Sequence, residues 1–294
     1  MTRPKIALAI DIGGTKLAAA LITSDGQILD KHRVPTIQSA PAEMLFDSLL
    51  DLVRTVTGPK SKFDVCGVGC GGPMSFNGSR VSPLNIPAWR EFPLLTRIQE
   101  TLEVPVVIDN DAKALALGEA WFGAGRSFEN FMAMVVSTGV GGGLFVDGKL
   151  LDGENGNAGH IGHVIVEPDG AKCACGARGC LEAEASGPAI ARRIGATPVE
   201  ADLKERVRAG VMVGRAVASV VNLLDLEQVL VGGSVALGFG DIFLDAANQE
   251  LSERCKLEFS RGVKIARVEL GEAAPLVGAA AVGFRSVGID PRAE

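Results

Sequence analysis

The sequence has little of what a membrane, a nucleic acid or a secreted scaffold would require. No apolar run reaches the roughly 18 residues that would cross a bilayer; glycine, aspartate or another charged residue interrupts each one earlier. The apolar run at residues 6–10 is too short for a secretory core with a cleavage site, so a cytoplasmic protein is expected. Basic residues are not in excess. Lys and Arg number 29 against 35 Asp and Glu, a formal net charge of −6, which argues against nucleic acid or an anionic membrane as a partner. No Walker A ending, Gly-Lys-Ser/Thr, occurs. Gly67-x-Gly69-x-x-Gly72 matches the dinucleotide string, but Pro73, Asn77-Gly78 and Pro83 follow it. No helix is expected to open there for a pyrophosphate. Low-complexity linkers are absent, and histidine occurs only three times.

What is present points to a globular α/β protein. The chain has 294 residues, 47% of them hydrophobic, with 37 glycines, long enough for roughly two domains. Residues 6–10 and 17–22 read as strands around a tight polar turn. Residues 41–57 have helical spacing that places Met44, Leu45, Leu49, Leu52, Val53 and Val56 on one face. Short strands are predicted at 65–68 and 104–108, a helix at 111–121 ending near Gly123, and strands at 131–136 and 144–146 around a turn at 139–143. Beyond about residue 186 the pattern is helical, with one strand at 228–231. Residues 6–22 and 132–146 resemble each other as strand, small Gly/Thr turn, strand. Such a duplication predicts two related lobes facing one nucleotide across a cleft.

The turn Asp11-Ile-Gly-Gly-Thr-Lys16 offers backbone N–H groups and a hydroxyl to phosphate oxygens. A carboxylate beside phosphate requires a cation between them, so Asp11 implies Mg²⁺; a plain hairpin turn is the alternative. Ser137-Thr-Gly-Val-Gly-Gly-Gly143 repeats this chemistry, and Gly232-Gly233-Ser234 is a third candidate, near base or ribose. Val106-Val-Ile-Asp-Asn-Asp111 places polar groups where a buried strand gives way to a helix. Asp111 there is either a helix N-cap or a general base accepting a hydroxyl proton. Asn110, donor and acceptor at once, suits a sugar hydroxyl.

His163, Cys173, Cys175 and Cys180 fall within eighteen positions among turn glycines. In a reducing compartment they form a Cys₃His set, closed and therefore a structural zinc site; separate free thiols are the alternative. His32 reads as a surface residue, and Cys66, Cys70 and Cys255 as core or half-buried thiols.

Asp-Ile-Gly-Gly-Thr-Lys, Asn-Asp-Ala, Ser-Thr-Gly-Val-Gly-Gly-Gly, Gly-His and Cys-x-Cys-Gly-x-x-Gly-Cys-x-Glu together resemble the ROK family of sugar kinases and repressors, from Ile6 to the segment at Gly278-Ala279. The resemblance implies an α/β, two-lobed actin/hexokinase-like (ribonuclease H-like) ATPase fold with an interlobe active-site cleft. It implies a small lobe at residues 1–110, completed by a C-terminal helix at about 275–294, and a large lobe at 111–274 with a zinc segment at 160–182. It implies a homodimer using ATP, Mg²⁺ and structural Zn²⁺, with a small sugar as substrate. By the same resemblance Asp11, Gly13, Gly14, Thr15 and Lys16 form the first phosphate loop, Thr138 and Gly139 the second, and Gly233 lies at the nucleotide. Asp111 matches the catalytic base. Gly72, Asn85, Asn110, His160, His163 and Glu182 match sugar positions, and His163, Cys173, Cys175 and Cys180 the zinc ligands. Two residues depart from the family pattern. Lys113 stands where Asn is common, and His160 where glucokinases of the family have Glu. Ala-Gly-His-Ile-Gly-His and residues 11–22 are similar to the family's bacterial N-acetylmannosamine kinases. That implies an ATP-dependent N-acetylmannosamine 6-kinase, with glucose or another hexose as the alternative substrate. The family's repressors carry an added N-terminal helix-turn-helix; about five residues precede the first strand here and the chain is acidic, so an enzyme is expected.

Overall fold

The structure is a computed structural model that describes residues 3–59, 62–290 and 292. The chain divides into two compact units. Unit 1 comprises Met1–Arg126, Asp152–Ala158 and Leu270–Glu294, and unit 2 comprises Ser127–Leu151 and Gly159–Glu269.

Unit 1 begins with strands β1 Ile6–Ile12, β2 Lys16–Thr23 and β3 Ile28–Pro35, then helix α1 Ala42–Thr57 and strand β4 Val65–Cys70. Helix α2 Leu94–Gln99, strand β5 Val106–Asn110 and helix α3 Asp111–Phe122 follow. The sheet order is β3-β2-β1-β4-β5; β1 pairs antiparallel with β2 and β2 with β3, whereas β4 and β5 continue parallel to β1. β1, β2 and β4 are almost wholly buried, which is why they read as continuous apolar runs without alternation. β3 was not legible in the sequence. It is an edge strand, exposed along most of its length and rich in charge, so no buried face imposes a period. His32 lies on it, exposed.

Helix α1 buries Leu45, Phe46, Leu49, Leu52, Val53 and Val56, while Met44 is exposed, contrary to the predicted face. Phe46 completes the row with Leu49, Val53 and Val56 at helical spacing, and Met44 falls on the opposite flank.

In unit 2 the strands β6 Phe131–Val136, β7 Val140–Val146 and β8 Lys149–Leu150 come first. Helices α4 Leu181–Ala185, α5 Gly187–Ile194 and α6 Leu203–Leu224 precede β9 Gln228–Gly232. Helices α7 Ser234–Phe239 and α8 Asp241–Arg254 and strand β10 Ile265–Arg267 complete the unit. Its order is β10-β9-β6-β7-β8, with β6-β7 and β7-β8 antiparallel and β9 and β10 parallel. This is the unit 1 arrangement with β6 in the place of β1, so the similarity between residues 6–22 and 132–146 extends to whole five-stranded sheets. β7 starts at Val140, paired with Val136, so Gly141 to Gly143 are strand rather than turn.

The chain returns to unit 1 as helix α9 Ala274–Ser286, which packs on β1, β4 and α3. The approach is close. A Cβ on Gly67 would lie 1.9 Å from the Ala279 carbonyl oxygen, and one on Gly118 would lie 3.0 Å from the Gly278 Cα. The first glycine of the dinucleotide-like string therefore serves helix packing. The same contacts keep α3 in unit 1, with Glu119 accepting a hydrogen bond from Leu270 N at 3.0 Å. The unit boundary thus falls after Arg126, not after residue 110. Among the described residues α6 is the one helix long and apolar enough to cross a bilayer. Half of that stretch is buried, with Ala209, Val213, Val217 and Val221 in the unit 2 core.

Candidate functional site

In unit 1 the turn between β1 and β2 is closed by a hydrogen bond from Gly13 N to Lys16 O at 3.0 Å. Its carbonyls are tied back by the segment after β3. Thr36 Oγ1 donates to Gly13 O and Gln38 Nε2 to Gly14 O, both at 2.7 Å, and Thr36 N donates to Thr15 O at 3.0 Å. In a trans peptide the C=O and the following N–H point in opposite directions. Holding the carbonyls of Gly13 and Gly14 therefore aims the N–H groups of Gly14 and Thr15 the other way, as an anion cradle requires. A Cβ on Gly14 would lie 2.5 Å from the Cβ of Asn85, so only glycine lets this loop pack against the Asn85 segment.

Asn85 belongs to the long connection between β4 and α2. Val81 bridges Met74 on one side and Phe92 on the other. Leu84 N donates to Gly72 O at 3.3 Å, bringing Gly72 and Asn85 together. Trp89 anchors the connection, fully buried, stacked on Phe92 at 4.7 Å and donating from Nε1 to Ala42 O at 3.2 Å.

The polar end of β5 settles one alternative left open by the sequence. Asn110, not Asp111, is the N-cap of α3. Its Oδ1 accepts from Ala112 N at 3.0 Å and Lys113 N at 3.4 Å. Asp111 is the first helical residue, its Oδ1 accepting from Ala112 N at 2.8 Å and its Oδ2 3.9 Å from where a Cβ on Gly71 would sit. Asp11 is buried at the end of β1. Its pKa is pushed up to about 7 by burial and then by the Asp111 charge, against the pull of Lys16. A buried carboxyl held back from ionising by a second carboxylate fits a divalent cation, which would relieve both effects.

Unit 2 supplies the second loop. Ser137 N donates to Gly139 O at 2.9 Å, and Gly187 N to Ser137 O at 2.8 Å, which aims Thr138 N–H away from that carbonyl. Ser137 Oγ meets Ser234 Oγ at 2.9 Å. A Cβ on Gly233 would lie 2.4 Å from Val136 O, so the third glycine turn abuts the second loop. Glu182 lies in the first turn of α4 and its Oε2 accepts from Val140 N at 2.9 Å, directly after that loop.

The segment with His160 and His163 is laid on β7. Gly142 N donates to Gly159 O at 2.9 Å, and a Cβ on Gly159 or Gly162 would lie 2.0 or 2.1 Å from a β7 carbonyl oxygen. Those glycines place the two partly buried histidines, with ring centroids 6.1 Å apart. His163 also joins a metal-sized cluster: the ligand atoms of His163, Cys173, Cys175 and Cys180 lie within 4.8 Å of one another. Cys175 Sγ is 3.7 Å from Cys180 Sγ, and Cys173 Sγ is 3.7 Å from His163 Nδ1. A tetrahedron with zinc–sulfur bonds of about 2.3 Å has edges of about 3.8 Å, so the donor set fits zinc. Burial raises the Cys173 thiol and pushes Cys180 up to about 12, while the Ala177 backbone N–H lowers Cys175. Cys66, Cys70 and Cys255 are buried outside this cluster.

Each unit thus gathers its own set. Unit 1 brings together Asp11, Gly13, Gly14, Thr15, Gly72, Asn85, Asn110 and Asp111, whereas unit 2 holds Thr138, Gly139, Gly233, His160, His163, Glu182 and the cysteines. Sequence reasoning missed Thr36 and Gln38, which orient the first loop from more than twenty positions away, and the Glu182 bond to Val140. No local signal marks such long-range partners.

The ROK family model matches residues 7–284. A glucokinase of Halalkalibacterium halodurans is 33% identical over 307 residues, with 92% of each chain covered. An N-acetylmannosamine kinase of Escherichia fergusonii is 38% identical over 255 residues, covering 81% of this chain and 86% of that one. The solved structure of a ROK family glucokinase from Streptomyces griseus, in complex with glucose and AMPPNP, matches with a TM-score of 0.85 at 30% identity, covering 95% of this chain and 99% of that one. The fold is the α/β, two-lobed actin/hexokinase-like one, and by sequence and fold alike the chain belongs to the ROK family.

Proposed function

We propose that this protein is an ATP-dependent sugar kinase and that its substrate is the 6-hydroxyl of N-acetylmannosamine. The observation that carries the kinase reading is Asp111, held at the start of α3 beside buried Asp11 and the Gly72 segment, in a chain whose two sheets each bear a loop with outward amides. The sugar reading rests on His160, where a carboxylate would offer acceptors only. A neutral imidazole can donate to an acetamido oxygen without burying a charge. A second substrate, glucose, is favoured by relatives such as the Halalkalibacterium enzyme, which are glucokinases.

ATP, when bound, supplies the γ-phosphoryl group and leaves as ADP. Asp11 would hold Mg²⁺, which supplies charge neutralisation there. His163, Cys173, Cys175 and Cys180 would hold zinc, which supplies a structural cross-link. Asp111 accepts the proton of the 6-hydroxyl as its oxygen bonds to phosphorus. The amides of Gly14 and Thr15 in unit 1, and of Thr138 in unit 2, would donate to phosphate oxygens, and by the family resemblance Lys16, Gly13, Gly139 and Gly233 would shape the nucleotide contacts. Asn110 spends its carbonyl on the helix cap, so its amide N–H groups remain to donate to a sugar hydroxyl. By the family resemblance, Gly72 and Asn85 of unit 1 and His160, His163 and Glu182 of unit 2 would supply the remaining sugar contacts. The family resemblance supports a cytoplasmic homodimer, which sedimentation and cell fractionation test. The deciding experiment is a kinase assay across glucose, mannose, N-acetylglucosamine and N-acetylmannosamine. The highest kcat/KM on N-acetylmannosamine supports the reading, a preference for glucose replaces the substrate, and no turnover on any hexose removes the kinase.

A further inference from the structure

Lys113, the cation that stands where the family commonly has Asn, is buried in the first turn of α3 two residues after Asp111, its side chain 2% exposed. A buried ammonium is tolerated only when its donors are satisfied. Three oxygens meet its three N–H groups: Asp109 Oδ1 at 2.9 Å, Asp152 Oδ1 at 2.7 Å and the Gly156 carbonyl at 3.4 Å. The second oxygen of Asp152 accepts from Arg285 on α9 at 3.2 Å.

Asp152 and Gly156 belong to the short piece Asp152–Ala158, which is part of unit 1 although the chain on either side of it is not. The piece contains no helix or strand, so its side-chain bonds do much to fix its place. Besides Lys113 it has a second anchor. Asn157 Nδ2 donates to Met74 O at 3.1 Å and Asn157 Oδ1 accepts from Met74 N at 3.4 Å. Met74 lies two residues after Gly72, in the connection that also carries Asn85. The piece therefore spans from the helix turn bearing Asp111 to the segment assigned to the sugar.

We propose that Lys113 is a positioning residue for sugar binding: by gripping Asp152 and Gly156 it fixes Asp152–Ala158, which through Asn157 fixes the Gly72 segment. An asparagine at this position is two bonds shorter and carries no charge, so it cannot bridge Asp109 and Asp152. The inference rests on the sugar-kinase reading for its substrate, and its test separates the two.

Lys113→Gln and Asp152→Asn are to be compared with the unaltered protein, singly and together. Each single variant is expected to raise the sugar KM roughly tenfold, the size of one lost charged hydrogen bond, with ATP KM and kcat changed less than about threefold. The double variant is expected to match the worse single one, because both remove the same link. A second readout needs no activity. Glu154 is exposed within the pinned piece, so glutamyl endopeptidase cleavage after Glu154, followed by mass spectrometry, is expected to accelerate in both variants. Asp152 is half exposed at its side chain, so its variant keeps the test intact if Lys113→Gln does not fold. An unchanged sugar KM, equal rises for sugar and ATP, or multiplying effects in the double variant overturn the proposal. If the unaltered protein phosphorylates no hexose, the kinase reading falls. The cleavage readout still judges the pinning, and equal rates in all three proteins overturn it.

Discussion

Asp11 is the residue at which stability and function are most sharply opposed. The residue is 7% exposed, and burial together with the Asp111 charge lifts its pKa from 3.8 to about 7. A carboxyl with a higher pKa in the folded than in the unfolded chain holds its proton more tightly when folded. Below about pH 4 both states are protonated and Asp11 contributes no pH dependence. Between about pH 4 and 7 only the unfolded chain releases the proton, so stability falls as pH rises, and above about 7 the loss is complete. The rise from 3.8 to about 7, at about 1.4 kcal/mol per pH unit, amounts to about 4 kcal/mol. Asp11→Asn keeps the size of the side chain and abolishes its ionisation. In metal-free protein its stability relative to the unaltered chain is expected to be constant below about pH 4 and to gain about 4 kcal/mol by about pH 8. Urea unfolding followed by tryptophan fluorescence measures this cleanly, because both tryptophans, Trp89 and Trp121, lie in unit 1 with Asp11. Millimolar Mg²⁺ is expected to narrow the gap at high pH by stabilising the ionised carboxylate. A difference between the two proteins that does not change with pH refutes the reasoning.

Asp111→Asn is expected to fold and to bind sugar while losing about a hundredfold or more in turnover; near-normal kcat in calorimetrically competent protein removes Asp111 from the base role. Cys175→Ala breaks a closed donor set, so bound zinc by atomic absorption is expected to fall from about one equivalent to near none and the melting midpoint by about 5 °C or more. Native protein with no zinc and freely titrating thiols ends that proposal. Because Glu182 sits two residues after Cys180 and holds Val140 N, the same variant is expected to weaken nucleotide binding as well, measurable with a fluorescent ATP analogue. His160→Glu is expected to shift preference from N-acetylmannosamine toward glucose by roughly ten- to a hundredfold in kcat/KM, the scale of one polar mismatch in a closed pocket. An unmoved ratio detaches His160 from specificity.

What the sequence determined by itself is whatever depends on short range. The turns at Gly13-Gly14 and Thr138-Gly139, the strand β5 running into α3, and the Cys₃His spacing are local patterns of backbone freedom, burial and donor chemistry. The duplicated strand-turn-strand was legible for the same reason, and each copy grew into an identical five-stranded order. Three of the four edge strands were not legible. β3 is solvated on most of its length, and β8 and β10 are only two and three residues long, so none imposes a period. Tertiary structure alone decided that the first glycine of the dinucleotide-like string serves packing. Gly67 looks like a nucleotide glycine in sequence, yet it is required by Ala279 more than two hundred residues away. It also decided that Asn110 rather than Asp111 caps α3, leaving Asp111 as first helical residue. Lys113 shows the division most plainly. The sequence marked it as a departure without a consequence, because its partners Asp152 and Gly156 become neighbours only when a distant segment folds back onto the helix. Buried charge must be compensated wherever the chain brings a partner, and sequence separation carries no information about where that will be.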